Sequence, residues 1–379
     1  MNRVALQMLL GDKARFFGIV LGLTFAALLI TQQMSIFLGL MARAHAAVRD
    51  VPQADLWIMD RSMEAIDLGG VRGLSDTTLN RIRGITGVAW ATEHMRVPTE
   101  CNLGGGVRRD CLLIGVDDQT RIGLPPITQG RVDDLRGDAA VFLDEDGAKK
   151  FARAGRTLKI GDSFEINDHR AVVAGFVRAN ASIWFGSYVY TTVSRAKAWR
   201  PQSRRGVSFL VAGLTPGATA EEVSTRVSEH TGLRTFTRAA FISSSASYFA
   251  KNTGIPINFG TAVVLGFMVG TAVAGILFLQ FTRDNLRYLG ALKAMGASNG
   301  VLMRMTLLQA ALVGFLGYGL GVGIAALFGE LAGGGDLAWL MPPWLLLVTA
   351  VGIVCICLFA ALLSLRTVIR LEPAVVFRG

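Results

Sequence analysis

Four long apolar stretches alternate with mixed ones along the chain. Phe16–Ala42, Ile257–Thr282, Met305–Gly329 and Leu337–Leu365 contain no Asp, Glu, Lys or Arg. A helix rises 1.5 Å per residue, so twenty-odd apolar residues cross a hydrocarbon layer about 30 Å thick. The pattern predicts membrane helices over residues 15–42, 257–282, 305–329 and 337–365, the first overshooting the bilayer as a stalk. An Ala-Arg-Ala-His-Ala sequence follows the first run and imitates a signal-peptidase site. The run is about twice as long as the apolar core of a signal peptide, which favours an uncleaved helix. Residues 1–14 place apolar side chains on one face and Asn2, Arg3, Gln7, Asp12 and Lys13 among the rest, as in a helix lying on a membrane surface.

Residues 43–256 show a different rhythm. Short β-rich runs such as Ala54–Asp60, Gly87–Met95, Cys111–Asp117, Ser163–Asp168, Arg170–Arg178, Ser187–Val193 and Gly206–Leu214 are separated by turn signals. Leu74–Ile85, with Ser75 as N-cap, and Ala218–Gly232 read as amphipathic helices. Asn167-Asp168 lies between two apolar runs and predicts a tight hairpin. The expected fold is an α-helical membrane protein with four transmembrane helices and a large α+β domain between the first and second, in one piece or two subdomains.

Charge orients this arrangement. The chain carries a net +10, and its cations outside the central region flank the apolar runs: Arg3, Lys13, Arg15, Arg283, Arg287, Lys293, Arg304, Arg366, Arg370 and Arg378. Short Lys/Arg-rich loops stay in the cytoplasm. Residues 1–14, 283–304 and 366–379 are therefore expected inside, with 43–256 and the loop 330–336, which has no Lys or Arg, outside. The same distribution assigns the basic balance to topology and anionic lipid headgroups, with no nucleic-acid partner. Hydrophobic residues make up 51% of the chain and charged residues 17%, as expected of a membrane protein.

The loop 283–304 is the candidate functional element. Leu286, Leu289, Leu292, Lys293 and Gly296 recur at spacings of three and four, which predicts a short amphipathic helix. Its apolar side either docks a soluble partner or rests on lipid headgroups. Catalytic chemistry has no visible carriers: there is no GxxxxGK[ST] phosphate cradle, and His45, His94, His169 and His230 lack metal-ligand spacing. No catalytic, cofactor or metal residues are assigned in this chain. Gly317, Gly319, Gly321 and Gly323 sit at small-residue spacing, which allows close helix packing within one chain or across a dimer seam. Cys101 and Cys111 flank a Gly-rich stretch and either bridge a hairpin as a disulfide or remain reduced core residues.

The segment Leu286–Ser298, LRYLGALKAMGAS, resembles the coupling-helix loop of FtsX-like ABC permeases, and Arg370–Gly379, RLEPAVVFRG, resembles their C-terminal motif. The order ADLWIM, ITGVAWATEHM, LLIGVDDQ, LKIGDSFEINDHRAVVAGFVR and YVYTTVSRA is similar to that of MacB-type periplasmic domains. Tyr288 departs from the family's usual Glu, and no nucleotide-binding domain is fused to the chain as in MacB itself. The segments LQMLLGDKARF and LKAMGAS look most like the DevC-like glycolipid-exporter permeases. The resemblance implies a permease homodimer in a bacterial inner membrane, bound to two ABC ATPase subunits that hold ATP and Mg. The DevC-like branch adds an HlyD-type adaptor and an outer-membrane duct. In this reading Leu286, Leu289, Gly290, Leu292, Lys293, Met295, Gly296 and Ala297 couple to the ATPase, and the outside domain moves to export an amphipathic cargo. The alternatives that resemblance leaves are an FtsX-like transmitter controlling a cell-wall hydrolase and a lipoprotein-release permease.

Overall fold

The computed structural model describes all residues except 1, 64, 67–73, 75, 182, 184–185, 201–206, 333–336 and 370–379. The motif 370–379, the N-cap Ser75 and residues 333–336 of the predicted 330–336 loop therefore lie outside the described residues. The chain divides into two compact units, Met1–Leu40 with Gly254–Gly379, and Met41–Thr253.

In chain order the helices are α1 (Asn2–Gly11), α2 (Lys13–Arg43), α3 (Ala46–Arg49), α4 (Asp76–Arg83), α5 (Glu145–Arg153), α6 (Val193–Trp199), α7 (Ala220–Thr231), α8 (Arg238–Asn252), α9 (Ile255–Asp284), α10 (Leu286–Ala294), α11 (Asn299–Ala332) and α12 (Pro343–Ile369). The strands are β1 (Leu56–Met59), β2 (Val88–Asn102), β3 (Arg108–Val116), β4 (Ile127–Gln129), β5 (Ala140–Asp144), β6 (Ser163–Ile166), β7 (His169–Val177), β8 (Tyr188–Thr192), β9 (Val207–Leu214) and β10 (Arg234–Thr237).

Among the described residues the ten strands form one sheet, ordered β10-β1-β9-β2-β3-β8-β5-β7-β4, with β6 pairing to β2 and β7. The long antiparallel ladder β2–β3 runs from Met95↔Gly115 to Asn102↔Arg108. Asn167 and Asp168 both take positive φ, 47° and 65°, and close the β6–β7 hairpin where the sequence predicted it. Two positive-φ residues match the right-handed twist of paired strands. Large aromatics fill the core beside this sheet: Trp57, Phe209 and Phe241 meet at ring-centroid distances of 5.5–6.1 Å. His94 is packed into the same cluster, its ring edge-on to Trp57 at 5.7 Å. It is 2% exposed, and neither ring nitrogen has a hydrogen-bond partner among the described residues. Burial, reinforced by the nearby Arg96 cation, lowers its pKa to about 3.

Among the described residues the other unit contains four helices of membrane-crossing length and apolarity, α2, α9, α11 and α12. Small residues allow their closest approaches. Gly317 and Gly321 of α11 lie against α2 so closely that an added Cβ would come 2.6 Å from Leu23 Cβ and Ala27 Cβ respectively. Gly319 and Gly323 face open space on the opposite side of α11. Buried hydroxyls add hydrogen bonds between helices: Thr31 with Thr349 at 3.2 Å, and Thr282 with Ser364. Lipid-solvated helices gain nothing from expelling water, so close approach and such bonds replace the hydrophobic term.

Two predicted boundaries need correction. Residues 337–342, assigned to the last membrane helix, are not helical, and α12 starts at Pro343. The Pro342-Pro343 pair explains this, since proline supplies no N–H and drives the preceding residue out of the helical region. Leu340 N–H instead donates to Ser35 carbonyl at 3.0 Å. Conversely, α11 begins at Asn299 and takes Arg304 into its first turns.

Candidate coupling surface

The loop between α9 and α11 folds as predicted into a short helix, α10, with a two-faced environment. Asn285 separates it from α9: its amide donates to Phe281 carbonyl at 2.8 Å, while its own carbonyl accepts Leu289 N–H at 3.0 Å. The far end is closed by Gly296, whose φ of 92° is a left-handed conformation open to glycine at little cost. Gly296 N–H donates to Lys293 carbonyl at 3.1 Å and Ala297 N–H to Leu292 carbonyl at 3.0 Å. This pair of bonds is the Schellman cap, and Leu292 and Ala297, the two residues it brings together, both pack against the same apolar cluster.

The inner face of α10 is packed. Leu289 is 7% exposed and joins a cluster with Ala5 of α1 and Leu302 and Met305 of α11; Leu292, Ala297, Met8 and Val301 close around it. Gly290 is also buried. The predicted apolar set is therefore divided: Leu289 and Gly290 are turned into this cluster, with Leu292 and Ala297 half-buried at its edge, Leu286 and Lys293 also half-buried, and Met295 and Gly296 remaining open. Spacing alone could not separate the two faces, because leucines serve either. Tyr288, noted only as a departure from a motif, is 65% exposed and Met295 is 76% exposed. Seven residues apart, with Ala291 between, they lie on one side of the helix. Arg287 is exposed beside Tyr288. The open face thus presents an aromatic ring and a flexible thioether beside a cation.

The base of the loop is held by charge. Asp12, between α1 and α2, accepts Arg15 N–H at 3.2 Å and pairs with the Arg15 guanidinium at 3.2 Å. Arg15 also pairs with Asp284 at the end of α9. Nothing in this set resembles a nucleophile or general-base constellation; the geometry serves contact and positioning.

The remaining sequence candidates fall in the other unit or within the helices. Cys101 and Cys111 are bonded as a disulfide diagonally across β2 and β3, with Cα atoms 6.2 Å apart, and both are buried. Of the four α11 glycines singled out from the sequence, Gly317 and Gly321 are consumed by packing inside the chain.

Two family models match the chain. The MacB-like periplasmic core domain covers residues 16–230 and the FtsX-like permease C-terminal domain covers residues 239–373. Among solved structures, the chain is similar to the extracellular domain of the noncanonic ABC-type transporter YknZ from Gram-positive bacteria, with 14% identity, 48% of this chain and 99% of that one covered, and a TM-score of 0.35. It is also similar to the periplasmic region of MacB from Actinobacillus actinomycetemcomitans, with 14% identity, coverages of 52% and 96%, and a TM-score of 0.36. No curated protein sequence matches the chain. The two family models together span both units, and the chain belongs to the FtsX-like ABC-type permeases that carry a MacB-like periplasmic core domain.

Proposed function

We propose that this chain is the membrane subunit of an ABC exporter, working as a homodimer with two copies of a separate ATPase, and that α10 receives the ATPase. The observation that carries this reading is the division of α10 into a locked inner face and an outer face where Tyr288 and Met295 are open, with half-buried Ala291 between them. An apolar helix face at that spacing is the form in which a helix enters a partner's groove. The basic residues Arg283, Arg287 and Arg304 support a cytoplasmic loop by the positive-inside rule, with the α+β domain on the other side of the inner membrane. ATP and Mg would be held by the partner. Hydrolysis there would shift the loop and, through the helices, the α+β domain, moving an amphipathic lipid of the kind carried by DevC-like permeases toward an HlyD-type adaptor and duct. The length of the α+β domain, Met41–Thr253, favours export over the FtsX-like regulatory reading.

Orientation is the first test. With Cys355 and Cys357 replaced by alanine, a cysteine at Ser163 should react with an impermeant maleimide applied from outside the cell, and one at Asn299 should not. Reaction at both positions would overturn the assignment. Native mass spectrometry of the complex should then show two permease chains with two ATPase chains and a co-purifying lipid; a permease chain that carries no ATPase would count against the coupling role.

A further inference from the structure

We infer that α1, α10 and the first turns of α11 form one rigid body, and that this body delivers displacement of the loop into α2. The inference deepens the coupling reading above, but its structural half stands without a partner. Three observations meet here. First, the cluster under α10 is built from three elements at once, with Ala5 on α1, Leu289 on α10, and Leu302 and Met305 on α11 all buried. Second, Gln309, itself 5% exposed on α11, donates from Nε2 to the Ala5 carbonyl at 2.8 Å. A side-chain amide in an apolar setting costs free energy unless bonded, so this bond fixes the position of α1 against α11. Third, only Asp12 separates α1 from α2, and its carboxylate caps α2 through Arg15 N–H while pairing with Arg15. Arg15 reaches Asp284 at the end of α9 as well, so the root of α2 is tied both to its junction with α1 and to the helix that leads into the loop.

In such a body a push on Tyr288 and Met295 cannot be absorbed by bending α10 alone, because its inner face is interlocked with α1. The push is passed to α1 and, across one residue, to α2. Gln309 is then a positioning residue: it touches no partner, and its role is to keep α1 and the loop in register.

The test uses the full-length chain in lipid nanodiscs, in a background lacking Cys355 and Cys357. Spin labels at Gln7 and Ala294, both exposed, should give one narrow distance distribution. Gln309→Met keeps the volume but removes the donor, and should at least double the width of that distribution. Gln280→Met, an exposed glutamine on α9, should leave it unchanged and reports any nonspecific effect. With an ABC ATPase subunit added, Gln309→Met should bind within two-fold of the native chain yet lose at least five-fold of the permease-stimulated ATP hydrolysis. An unchanged distribution in Gln309→Met, or full stimulation despite a broadened one, overturns the inference. Failure of the native chain to bind the ATPase would instead overturn the coupling reading, and the distance measurement would still decide the rigid body.

Discussion

The two units of this molecule are held together by opposite means. In the α+β unit the largest fully buried side chains are aromatic, among them Trp57, Tyr190, Phe142, Phe151, Phe209 and Phe241. In the membrane unit many of the buried positions are alanine, as at Ala26, Ala27, Ala274, Ala310, Ala360 and Ala361, beside larger ones such as Ile19, Leu23 and Phe278, while other large apolar residues such as Phe315, Leu327 and Leu347 face outward. The reason is the solvent. Water rewards the burial of large apolar surface, whereas lipid is as apolar as leucine and rewards close approach and hydrogen bonding. A substitution that enlarges or shrinks a side chain should therefore act differently in each unit.

The largest effect is expected where an aromatic is removed from the water-solvated core. Trp57→Ala should destabilise the α+β unit by about 3–5 kcal/mol, seen as an earlier near-UV circular dichroism transition of the full chain in denaturant. A loss below about 1 kcal/mol would mean that the cluster is not the core of this unit. Replacing Cys101 and Cys111 together by alanine should cost about 3 kcal/mol, the entropy of reopening a ten-residue loop in the unfolded chain. Reductant should have the same effect on the native chain and none on the double variant.

The glycines sharpen the contrast. Gly321→Leu must push α2 and α11 apart and should cost about 2 kcal/mol, whereas Gly323→Leu, in open space, should change the unfolding of the monomeric chain by no more than about 0.5 kcal/mol. Equal effects would show that α11 is not oriented as described. A smaller, pH-dependent effect belongs to His94. Its folded pKa of about 3 lies below the ordinary value of 6.5, so the unfolded chain binds a proton more readily between these values. Stability from this group is complete above pH 6.5 and falls as the pH drops toward 3. The loss is about 1.4 kcal/mol at pH 5.5. Asp144, whose burial raises its pKa to about 6, shifts stability the other way as the pH falls from 6 toward 3.8. The quantity to measure is thus the difference in pH slope between the native chain and His94→Leu; identical slopes from pH 7 to 5.5 would refute the assignment.

The sequence makes the solvent-driven features of this fold easy to read and the face-specific ones hard. Four apolar runs without charge are unmistakable because a bilayer tolerates few alternatives, and Asn167-Asp168 announces its hairpin through conformations few residues accept. The helix over Arg238–Asn252 escapes notice because its serines and aromatics follow no simple period. The strand β2 runs on to Asn102, through Pro98, well past the predicted end at Met95. On α10 the periodicity identifies a helix, but the identity of its open face depends on Ala5 and Met305, residues far away in the chain. For the same reason Gln309 carries no sequence signal at all: a lone glutamine in an apolar run becomes informative only when the carbonyl it reaches is known.

The most direct measurement concerns the two faces of α10. Tyr288→Asp with Met295→Asp alters only the open face, so the permease should still insert and unfold like the native chain, while its affinity for the ATPase falls by at least about 30-fold, the loss of one central anchor worth about 2 kcal/mol. Leu289→Asp alters the locked face and should destabilise the permease itself. Undiminished ATPase binding by a correctly folded Tyr288→Asp, Met295→Asp chain would contradict the account.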